Sequence, residues 1–114
     1  MSSQPRATVH LTHIVANWRT IGALAPQSET GAVVKANAYG HGAGPVAKAL
    51  QAAGCRTFFV AYIEEGAELR SILGDEATIL AFNGAEADDA ENVRTSAVLP
   101  VMNSIPALRN WLSR

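Results

Sequence analysis

The chain has 114 residues, 48% of them hydrophobic, and a net charge of -1. That length supports one small domain core rather than two, and near-neutral charge gives no electrostatic case for nucleic acid or an anionic membrane. A single cysteine, Cys55, excludes an internal disulfide; the polar start lacks the apolar core of a secretory signal, no apolar run reaches the ~20 residues of a membrane span, and a cytoplasmic protein is expected.

Residues 1–6 are polar and expected to be loose. Thr8 to Thr12 alternates, with Val9 and Leu11 on one face, and reads as a short strand. Thr12 is a candidate cap for the helix that follows. Ile14, Trp18, Ile21 and Leu24 recur at helical spacing, and Pro26 marks the stop. His10 and His13 have no third ligand nearby and read as surface residues, so no metal site is expected.

After a polar link at 27–30 the chain alternates between strand and helix patterns. Strands are expected at 31–36, 57–62, 77–82 and 97–101. Helices are expected at 45–53, 64–73, 86–94 and 104–113. Val46, Ala49, Leu50 and Ala53 share one face of the first of these helices. Leu69, Ile72 and Leu73 point inward on the second, and Ile105, Leu108 and Leu112 form a stripe on the last. Strands apolar on both faces, separated by helices, indicate parallel strands covered by helices. Glu86, Asp88, Asp89 and Glu91 read as a solvated helix face with acids near its N-terminus.

The stretch Val33-Val34-Lys35-Ala36-Asn37-Ala38-Tyr39-Gly40-His41-Gly42 organises this pattern. A strand delivers Lys35 and Tyr39 to a glycine-rich turn, and Pro45 opens a helix where its missing N–H is not needed. Two nucleotide-binding readings fail. The third glycine of a dinucleotide fingerprint would fall at Pro45, and no Gly-Lys-Ser/Thr follows the glycines.

This string closely resembles the pyridoxal-phosphate (PLP) attachment motif of the alanine racemase family. The resemblance extends to Ala7–Asn17, to residues 57–70 and to Ile79-Leu80-Ala81-Phe82. It implies that Lys35 is the catalytic lysine that holds PLP covalently. It further implies that Tyr39 hydrogen-bonds near the cofactor phosphate and that Phe82 lines the pocket. His10, Thr12, Gly66 and Phe82 depart from the family's usual residues: acids at the first two, alanine at Gly66 and leucine at Phe82. The family fold is a (β/α)8 barrel of the TIM type followed by a β-rich domain. Residues 1–114 therefore read as a partial barrel domain: an N-terminal strand and helix at 1–30, then four β/α units at 31–114, about half of the barrel. In such barrels the site lies at the C-terminal strand ends, where the pattern places Lys35 and Phe82.

The implied function is PLP-dependent interconversion of L- and D-alanine, supplying D-alanine for peptidoglycan. The parent is expected to be a homodimer and the truncated chain self-associating, because its end strands are open. The family's second base, a tyrosine from the partner subunit's β-rich domain, is missing from this chain, and so is its arginine at the pyridine nitrogen. The chain alone is therefore expected to be inactive. Three other readings stand beside this one: a broader amino-acid or serine racemase, a non-catalytic PLP-binding barrel, and a structural fragment that retains no ligand.

Overall fold

The computed structural model describes residues 4–113; residues 1–3, part of the start expected to be loose, lie outside the described residues, as does Arg114. Helix α1 (Leu11–Leu24) leads to strand β1 (Ala32–Val33) and a short helical segment α2 (Lys35–Tyr39). Then come α3 (Ala43–Ala52), β2 (Thr57–Val60), α4 (Ile63–Leu73) and β3 (Thr78–Ala81). A 3-10 turn (Ala87–Asp89) runs into α5 (Ala90–Ser96), followed by β4 (Leu99–Pro100) and α6 (Ile105–Leu112). The alternation read from the periodicity is thus observed unit by unit, with strands shorter than their apolar runs.

The sheet is wholly parallel, in the order β1-β2-β3-β4. Each new strand joins the same advancing edge, as in a barrel wall; a doubly wound sheet would reverse its order partway. β1 and β4 are the edges among the described residues. Pro100 occupies one of them, a position that tolerates its missing N–H.

The two faces of the sheet differ. Phe58, Val60, Ile79 and Ala81 point at the helices and are buried, and with Val34, Val46, Leu50, Ile63, Leu69 and Val98 they form the core. Their in-register neighbours Val33, Phe59, Leu80 and Leu99 share the opposite face. Val33 is 40% exposed and Leu99 51%. The helices cover one face, and the other is the concave face of a half-closed barrel, as the expected partial barrel requires. The radius of gyration is 16.0 Å, against about 13 Å for a compact globule of this length.

Several local expectations fail for physical reasons. No strand forms at Thr8–Thr12, because an alternating run becomes a strand only beside a pairing partner, and no described strand lies there. Thr12 is inside α1, whose N-cap position falls on His10 with no side-chain cap. Within the α1 stripe, Ile14 and Trp18 pack against the core and Trp18 Nε1 donates to Thr30 O at 2.9 Å, but Ile21 and Leu24 are exposed. Ile72 is exposed while Leu69 and Leu73 are buried. The α6 stripe of Ile105, Leu108 and Leu112 is exposed, since no described element lies beyond it.

The acidic run behaves as a helix start. Asp89 accepts from the Glu86 amide at 2.9 Å. His10 and His13 stack with ring centroids 4.7 Å apart. No group of three metal-ligating side chains occurs among the described residues. No described helix is long and apolar enough to cross a membrane.

Candidate functional site

β1 ends at Val33, two residues short of the lysine. Val34 still donates to Phe59 O at 2.8 Å and is 1% exposed, so Lys35 leaves the sheet edge in a fixed direction. Val33 faces the concave side; Val34, with φ -122° and ψ 22°, already leaves the extended conformation, and Lys35 turns toward the Phe82 ring. Phe82 arrives from β3, two residues beyond Leu80. Its amide is held by Val60 O at 2.9 Å. The Lys35 ammonium lies 6.0 Å from the centroid of the Phe82 ring. Phe82 in turn stacks on Phe59, centroids 5.1 Å apart and planes 10° apart.

Phe59 was not singled out from the sequence. Its signal was the strict alternation in Thr57–Val60, which fixes which residues share a face once the register is known. Gly31 makes room for it: a Cβ there would sit 2.9 Å from the Phe59 ring. The result is a flat aromatic wall beside a primary amine, at the C-terminal ends of parallel strands.

The chain from Lys35 to Gly40 was expected to end a strand and open a turn. It is instead wound left-handed. Ala36, Asn37 and Ala38 have φ of 52–56° and ψ of 45–48°, and Tyr39 has φ 56°. For residues with a Cβ this costs about 1–2 kcal/mol each, so the segment needs external supports.

Those supports are polar. Ala38 N donates to Val34 O at 2.9 Å, and Gly42 N to Asn37 O at 2.8 Å. Asn37 Oδ1 accepts from Ala43 N at 2.8 Å, capping α3 from outside because Gly42 at the cap position has no side chain. Glu65 Oε2 accepts from Ala36 N at 2.9 Å. Pro45 stands in the first turn of α3, where no backbone donor is lost.

Tyr39 is carried on this segment and is 61% exposed. It lines a hollow of about 220 Å³ with Ile14, Val33, Ala38, His41 and Val46, and that hollow includes neither Lys35 nor Phe82. Lys35 and Phe82 are therefore brought together, while Tyr39 lines a separate hollow beside β1. Cys55 lies elsewhere, buried, and its Sγ approaches Thr57 O at 3.5 Å. Burial pushes this thiol up from its ordinary value, with a smaller push from Glu29.

Comparison with known proteins bears on this arrangement. An alanine racemase of Cereibacter sphaeroides is 48% identical over 102 residues, covering 89% of this chain and 29% of the relative. A catabolic alanine racemase of Agrobacterium fabrum is 41% identical over 91% of this chain and 27% of its own length. The chain therefore spans under a third of these relatives.

Among solved structures, the alanine racemase of Bartonella henselae with covalently bound pyridoxal phosphate superposes with a TM-score of 0.86. The identity is 43%, over 92% of this chain and 29% of that one. The biosynthetic enzyme of Pseudomonas aeruginosa gives a TM-score of 0.82 at 36% identity, over 90% of this chain and 28% of that one. The four-stranded parallel sheet with its helices is thus the N-terminal half of the barrel these enzymes share. The sequence profile of one family, described as alanine racemase, N-terminal domain, matches residues 9–114, and the chain belongs to that family.

Proposed function

We propose that this chain is the cofactor-holding part of a PLP-dependent alanine racemase, with Lys35 as the residue that carries PLP. The observation that supports it most is the Lys35 amine facing the Phe82–Phe59 wall, 6.0 Å from the nearer ring centroid. An amine that must bind a planar aromatic aldehyde needs such a flat apolar neighbour on one side and open space on the other. Tyr39, beyond the strand end, is assigned to the phosphate side of the cofactor, and Phe82 to the pocket wall.

PLP supplies an electron sink for the charge left when a substrate amino acid gives up its α-proton. The chain's own residues hold, orient and exchange protons. Lys35 would hold the cofactor, and its Nζ, when not bonded to it, would take or return the α-proton on one face. Phe82 and Phe59 keep water from that side. Transfer on the opposite face has no group assigned within this chain, so the isolated chain holds the cofactor without racemising alanine.

The longer protein acts on alanine in the cytoplasm, as a homodimer that supplies D-alanine for the cell wall. The test uses the two lysines of the chain as internal references. PLP is added, the adduct is reduced with borohydride, and labelled lysines are mapped by mass spectrometry, with Lys35→Arg alongside. Selective labelling of Lys35 over Lys48 is expected; equal labelling of both refutes the assignment.

A further inference from the structure

Glu65 stands at the third position of α4, where a glutamate commonly reaches back to the helix start. One of its oxygens does so. Oε1 accepts from Ala61 N at 2.9 Å and from Tyr62 N at 3.0 Å. The other oxygen leaves the helix altogether. Oε2 accepts from the amide of Ala36, 29 residues away in sequence and directly after Lys35.

The surroundings make that last bond consequential. Ala36 begins the left-handed run, which local sterics oppose. Behind the run lies a hollow of about 280 Å³, lined by Val34, Asn37, Val60 and Leu69, with Glu65 itself on its wall. Packing reaches the segment at Ala38, which is buried in the core, but does not hold it from the side of this hollow. Two side chains do: Asn37 at its far end, through the Ala43 amide, and Glu65 at the end that carries Lys35.

We propose that Glu65 is a positioning residue for Lys35: its carboxylate fixes the peptide that follows the lysine and so sets the direction of the amine. The proposal rests on Lys35 being the cofactor lysine. Its logic predicts an unusual selectivity among substitutions. In Glu65→Gln the amide oxygen can serve the two donors at the start of α4, and glutamine suits that role as well as glutamate does. The NH2 group then faces the Ala36 N–H, donor against donor, and only the tether to the lysine is lost. Glu65→Ala removes all three bonds.

The experiment compares the unmodified chain, Glu65→Gln and Glu65→Ala by amide hydrogen exchange and by borohydride trapping of PLP. In Glu65→Gln the Ala36 and Ala38 amides are expected to exchange roughly tenfold faster, the size of one lost hydrogen bond to a charged group. The Tyr62, Phe82 and Val101 amides should keep their rates. Trapping at Lys35 relative to Lys48 should fall severalfold, which helix capping alone does not produce. Unchanged exchange at Ala36, or faster exchange with undiminished trapping at Lys35, overturns the positioning role. If the unmodified chain shows no preference for Lys35, the cofactor reading itself fails and the proposal falls with it; that result is distinct because it does not involve the variants.

Discussion

Replacing Gly66 by alanine sets two physical effects against each other. Gly66 lies in the middle of α4, and alanine there gains about 1 kcal/mol of helix propensity. Packing opposes it. A Cβ on Gly66 would meet Val98 Cγ2 at 2.7 Å and Cγ1 at 2.8 Å, with Ile79 Cγ2 at 3.3 Å. Carbon atoms in contact prefer roughly 3.5–4 Å, so the helix or the strand must give by about an ångström. Rotating Val98 about χ1 withdraws one methyl but not both, and Val98 and Ile79 are fully buried. Overpacking of this kind costs about 1–3 kcal/mol.

The net expectation for Gly66→Ala is a loss of up to about 2 kcal/mol, the packing cost less the propensity gain. That corresponds to a fall of up to roughly 10 °C in Tm for a domain of this size. The decisive assay is a double-mutant cycle read by urea unfolding. Val98→Ala alone destabilises by about 2 kcal/mol through lost burial and a cavity. Combined with Gly66→Ala, each change relieves the other, with a favourable coupling of about 1–2 kcal/mol. Strict additivity, or a Gly66→Ala chain that melts higher than the parent, would refute the reasoning. In this chain Gly66 and Val98 form a complementary pair, the valine occupying the space a Cβ would need.

Two further perturbations follow from the same packing. Arg70 donates to four carbonyls: Ala77 O at 2.5 Å, Ser96 O at 2.7 Å, Gly74 O at 2.9 Å and Ala97 O at 3.2 Å. Arg70→Lys, a point charge without the planar fork, should cost about 2–3 kcal/mol in urea unfolding; an unchanged midpoint would show that the fork is dispensable. The Cys55 thiol is raised above its ordinary value of 9.0, chiefly by burial. The folded chain therefore holds this proton after the unfolded chain has released it. Stability is fully present below pH 9 and declines as pH rises above it, by at most about 1.4 kcal/mol per pH unit. Cys55→Ala should lose this extra slope, seen as a difference between the two stability–pH curves; parallel curves would count against it.

The order of elements was legible in the sequence because glycine and proline punctuate it and apolar runs alternate with helical stripes. Lys35 and Phe82 were singled out through the resemblance and placed at the ends of expected strands; that their side chains approach one another depends on the strand register, which the sequence alone does not carry. The left-handed segment was not. Periodicity carries no sign of handedness, and alanine ordinarily favours the right-handed helix; Asn37, tolerant of positive φ, was the one local hint. Glu65 was missed because Tyr62 is not a usual capping residue, so the spacing to the glutamate did not read as a helix start. Its second oxygen reaches a residue that only the fold brings near. The stripes of α1 and α6 were read correctly as helical, yet Leu24 and Leu112 face solvent. A pattern shows which residues share a face, not whether anything lies against it.

The left-handed winding after Lys35 also has a bearing on the order of folding. A right-handed helix can begin wherever its residues favour it, but Ala36 to Tyr39 have no such local incentive. Their supports come from the Val34 carbonyl, from the first turn of α3 and from α4. Those elements must be in place before the segment gains anything by adopting its shape. The aim of Lys35 is therefore set late, after the sheet and its helices have docked, and folding φ-values at Ala36 and Ala38 should lie near zero.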